Sequence, residues 1–146
     1  MGRSGHHRLG RALCRGEGAL LLFSANQRFE LVKHQKFIGE WKAQTNGYIY
    51  RISLEMPDGA EPHELLRWDW HPRTTPDRPQ PHLHVGAEEP DLGVMLPRLH
   101  IPTGRVSFEE VVRLLIAELG AQQNRDDWEV VLKDSEDRFR AFRTWS

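Results

Sequence analysis

From residue 48 the chain alternates. Tyr48, Tyr50, Ile52 and Leu54 fall on one side of an extended segment, with Ile49, Arg51 and Ser53 on the other. That period of two marks a half-buried strand. Leu65–His71 repeats it, setting Leu66, Trp68 and Trp70 against Leu65, Arg67, Asp69 and His71. Two shorter extended runs follow, His82–Val85 and Leu96–Ile101, separated by an acidic loop over Ala87–Leu92. Upstream, Asn46-Gly47 lies between β-compatible runs and predicts a hairpin over Phe37–Leu54 turning at that dipeptide, because both residues tolerate positive φ. At Ser107 the period becomes helical. Phe108, Val111, Val112, Leu115 and Leu119 form one stripe, Ser107 and Glu110 have capping-box spacing, and Gly120 stands where such a helix ends. A second helix is expected from Asp126, burying Trp128, Val131, Leu132, Phe139 and Phe142.

Strands followed by helices predict an α+β domain, a mostly antiparallel sheet with two C-terminal amphipathic helices packed on one face. The apolar set Tyr50, Ile52, Trp68, Trp70, Leu83, Val85, Leu99 and Ile101 is the face for those helices to cover. The opposite face is left open. Residues 1–18 hold five glycines and four arginines with little apolar periodicity. Residues 1–27 are therefore expected to be a flexible basic tail, and 28–146 a single domain. Glu61–Glu64 reads as loop, and His34 and His63 as exposed and inert.

Composition narrows the classes. With 38% apolar and 28% charged residues the chain suits an ordinary globular domain, and a formal net charge of −1 supplies no global field toward nucleic acid or anionic membrane. The single cysteine, Cys14, excludes an intrachain disulfide and a cysteine-based zinc site. The longest apolar run, Ala19–Phe23, is far below the roughly 20 residues a membrane helix needs. A cytoplasmic protein without a membrane partner is the expectation.

Chemistry concentrates in Leu65–Pro102. Seven of the nine prolines lie there, and four of the eight histidines, with a fifth just ahead of it. Arg67, Asp69, His71, His82, His84, Arg98 and His100 share the polar side of the alternation. One reading is metal-independent cleavage of RNA. His82 and His84 would be the acid–base pair, His71 or His100 an auxiliary, Asp69 the orienting carboxylate, and Arg67 and Arg98 the phosphate clamp. A second reading is a divalent transition metal such as zinc on the His82-x-His84 pair, with His100, His71 or Asp69 as third ligand. A third is a solvated or protein-binding face without catalysis.

The succession Tyr48-x-Tyr50, Arg67-Trp68-Asp69 with His71-Pro72, then His82-x-His84 resembles the TumE-type toxins of bacterial toxin–antitoxin systems over roughly residues 48–85. That resemblance implies a small toxin acting on RNA or translation, with a cognate antitoxin protein as partner.

Overall fold

The computed structural model describes residues 11–13, 20–33, 41–71, 81–86 and 100–142. Six strands form one sheet: β1 (Arg11–Leu13), β2 (Leu20–Lys33), β3 (Trp41–Leu54), β4 (His63–Trp70), β5 (His82–Val85) and β6 (Ile101–Pro102). They lie in sequence order, each antiparallel to the next. Two helices follow, α1 (Phe108–Ala117) and α2 (Trp128–Phe142), which makes the fold α+β as the pattern predicts.

The alternation divides the sheet as expected. Tyr48, Tyr50, Ile52, Trp68 and Trp70 are buried on one face, and Val111 and Leu115 of α1 pack among them. Phe108 sets its ring 5.8 Å from that of Phe23 and edge-on to Tyr50 at 6.2 Å. Tyr48 and Tyr50 stack at 4.6 Å, and the Tyr48 hydroxyl accepts a hydrogen bond from Val106 N at 2.9 Å, which ties the approach to α1 onto the sheet. The Arg105 guanidinium covers Trp70 at 3.8 Å from the ring centroid. Among the described residues no helix is long and apolar enough to cross a membrane.

α1 starts as its sequence dictates. Ser107 Oγ accepts from Glu110 N at 3.1 Å, and Glu110 Oε2 accepts from Ser107 N at 2.6 Å. At its far end Gly120 adopts φ +67°, and Ala121 N returns to Leu115 O at 2.9 Å. α2 is held to α1 by Ser135 Oγ donating to Glu109 Oε1 at 2.6 Å and by an Arg113–Glu136 ion pair at 3.1 Å. An apolar cleft of about 410 Å³, lined by Phe23, Val112, Trp128 and Leu132, lies beside the two helices. Trp128, Leu132 and Phe139 are half-buried, but Val131 is exposed, so α2 buries a narrower stripe than expected.

Several expectations are corrected. The proposed boundary at residue 27 falls inside β2, whose Leu21, Phe23 and Ala25 belong to the core. Leu20–Phe23, most of the short apolar run, belongs to β2, because β3 offers it a partner over Leu21↔Leu54 and Phe23↔Ile52. Asn46-Gly47 is not a hairpin turn. β3 runs through it, and Gly47 spends its positive φ of 126° at a bulge, where the register jumps from Gln27↔Tyr48 to Phe29↔Thr45. Ile101 pairs with Leu83 at the sheet edge but stays 40% exposed and outside the core cluster of the described residues, on a β6 only two residues long. Residues 72–80, the acidic loop expected over Ala87–Leu92 and residues 96–99 of the expected last strand lie outside the described residues.

Candidate metal centre

The face of β4 and β5 opposite the helices gathers most of the chemistry, and at His82 and His84 it is buried rather than open as expected. Register alone places Asp69 opposite His82 and Arg67 opposite His84. β6 pairs with β5 through His82↔Pro102 and Leu83↔Ile101, so the next step along this ladder brings His100 level with His84. The result is a triangle of imidazoles. Ring centroids are 4.8 Å apart for His82–His84, 5.1 Å for His82–His100 and 4.5 Å for His84–His100. One nitrogen from each lies within 4.8 Å of the others. His82 and His84 are buried, whereas His100 is half-buried and forms the accessible side.

Asp69 completes the group. Its Oδ2 lies 3.3 Å from His84 Nε2 and 3.9 Å from His82 Nε2, and accepts a hydrogen bond from Arg67 Nε at 3.0 Å. Its Oδ1 is buried and receives no hydrogen bond among the described residues. Burial pushes the His84 pKa below its ordinary value, and the neighbouring Arg67 adds to that push against the opposing pull of Asp69. His84 is therefore a neutral imidazole near pH 7, with a lone pair to give.

The expected phosphate clamp is occupied from within. Arg67 Nη1 reaches Glu64 Oε1 at 3.0 Å while its Nε holds Asp69, and Glu64 Oε2 meets Arg51 Nε at 2.8 Å. Glu64 is the residue that alternation misses. Counting by twos from Trp68 assigns it to the core face, but the register shifts between Ile52↔Leu66 and Ser53↔Glu64. That irregularity leaves Leu65 without a register partner in β3 and turns Glu64 toward the arginines. Only the partner strand carries that information. His71, just past the end of β4, is half-buried and is not among the clustered imidazoles. Arg98 lies outside the described residues.

Gly86 shapes the same edge. Its N donates to Leu65 O at 2.9 Å, and a Cβ there would fall 1.7 Å from Glu64 O. β5 must end on a residue without a side chain if its histidines are to sit against β4.

No family model matches the chain, and no curated protein and no solved structure matches it.

Proposed function

We propose that this protein binds one divalent transition-metal ion through His82, His84 and His100, with Asp69 as a carboxylate ligand or as the acceptor for an ion-bound water. The observation that carries this reading is the triangle of imidazole nitrogens, all within 4.8 Å of one another. A tetrahedral ion with bonds of about 2.0–2.1 Å needs nitrogens roughly 3.3 Å apart, a gap that small ring rotations close. Three nitrogens and a carboxylate oxygen suit zinc, manganese, cobalt or nickel, and exclude none of them by donor type. Two further facts support it. A buried imidazole kept neutral is in the ligating form, and a buried carboxylate oxygen without a donor costs about 1–3 kcal/mol that an ion or its water offsets.

Protein purified without a histidine tag, loaded with Zn²⁺ or Co²⁺ and dialysed, is expected to retain one ion per chain. His84→Ala and His100→Ala are expected to weaken that retention by at least about 100-fold while leaving the folded circular dichroism spectrum unchanged. Retention equal to wild type in both variants sinks the reading.

A second reading keeps the RNA-cleaving, toxin-like activity and an antitoxin partner. Its support is the 3.3 Å contact of Asp69 with a neutral His84, the arrangement a general base requires. It differs in outcome: RNA cleavage by the metal-free protein, abolished in His84→Ala, favours it over the metal centre.

A further inference from the structure

Among the described residues, the charges beside the three imidazoles balance before any ion is added. Asp69 pairs with Arg67 at 3.0 Å, Arg67 with Glu64 at 3.0 Å, and Glu64 with Arg51 at 2.8 Å. Two guanidinium groups and two carboxylates sum to zero, and an imidazole that ligates through its lone pair adds no charge. An ion on His82, His84 and His100 therefore adds two positive charges that this balanced set of described side chains does not offset. It does so where the side chains of His82, His84 and Asp69 are only 9%, 10% and 15% exposed. Asp69 cannot cancel them alone, since its charge is already shared with Arg67. A net charge so poorly solvated is strongly disfavoured. An anion that arrives with the ion, or exchanges onto it, removes that cost.

The flank that such an anion meets is also defined. Arg51 lies opposite Arg67, and Arg67 lies opposite His84. With strands about 4.8 Å apart, the Arg51 position is two strand spacings, about 10 Å, from His84. Its side chain is 46% exposed and contacts Glu64 through Nε. A guanidinium edge matches the paired oxygens of a carboxylate or phosphate.

We propose that the metal centre takes a small oxyanion, a carboxylate or phosphate group, as its exchangeable ligand, approached along the Arg51–Arg67 side. This rests on the metal reading above, and the experiment separates the two. Co²⁺-loaded protein is titrated with acetate and with inorganic phosphate while the visible d–d absorption is followed. A saturable change of the band with either anion is expected, and which anion acts at lower concentration assigns the class. Arg51→Gln, assayed at saturating Co²⁺, is expected to weaken the anion response by about tenfold. If no protein-bound Co²⁺ band forms, the metal reading falls and takes this one with it. A band that forms but ignores both anions overturns the oxyanion proposal alone. An anion response identical in Arg51→Gln removes the assigned flank.

Discussion

Tyr48 shows how a single buried group sets a pH limit. Burial raises its pKa from 10.0 to about 12, the effect outweighing the Val106 amide and Arg105, both of which favour the phenolate. Tyr50 is pushed up further, by burial first and then by Tyr48 itself. For an acid whose folded pKa lies above its unfolded value, the folded state binds the extra proton. The associated stability is complete below pH 10 and is lost as pH climbs toward 12, about 2–3 kcal/mol for Tyr48. The chain has only these two tyrosines. Ultraviolet titration of the folded protein is thus expected to show no phenolate near pH 10, with ionisation at higher pH coinciding with unfolding. Gly86 sets a steric limit instead. Gly86→Ala must displace Glu64 O from 1.7 Å, so a loss of about 3 kcal/mol is expected in chemical denaturation, with metal retention falling in parallel.

At the level of elements, α1 was legible and the sheet's irregularities were not. A capping box, a 3.6-residue stripe and a terminal glycine all act within one helix, so Ser107, Val111 and Gly120 announce themselves without knowledge of any neighbour. The two-face reading of β3 and β4 holds for the same reason, because alternation is a property of each strand alone. Gly47 and Leu65 are different. Each sits at a register irregularity defined by the strand across from it, Arg28 in β2 opposing two residues of β3, and Ser53 meeting Glu64 instead of Leu65. Asn46-Gly47 carried the correct conformational preference, positive φ, but a bulge uses that preference as readily as a turn. Of the candidate site, the H-x-H pair, Asp69, His100 and Arg51 were visible as residues sharing one side; the involvement of Glu64, and the pairing of Arg51 and Arg67 with carboxylates, were not.

For the whole molecule, the largest revision is where the fold begins. β2 supplies Leu21, Phe23 and Ala25 to the core that Tyr50, Trp68 and Val111 share. Removing residues 1–27 deletes all three, at about 2–5 kcal/mol for each large side chain, against a typical total stability of about 5–15 kcal/mol. The truncated chain is expected to lose its cooperative thermal transition in calorimetry; a sharp transition at the wild-type temperature would show that β2 is dispensable. At the opposite end of the strand order, β5 and β6 are four and two residues long and form the sheet's last rungs. Edges this short fray first, opening locally at a free energy well below that of global unfolding. The three histidines straddle that edge. An ion bound there would fasten the part of the sheet with the fewest rungs, so ion concentration, through mass action, would govern how often the edge opens while the packed face beneath α1 stays closed.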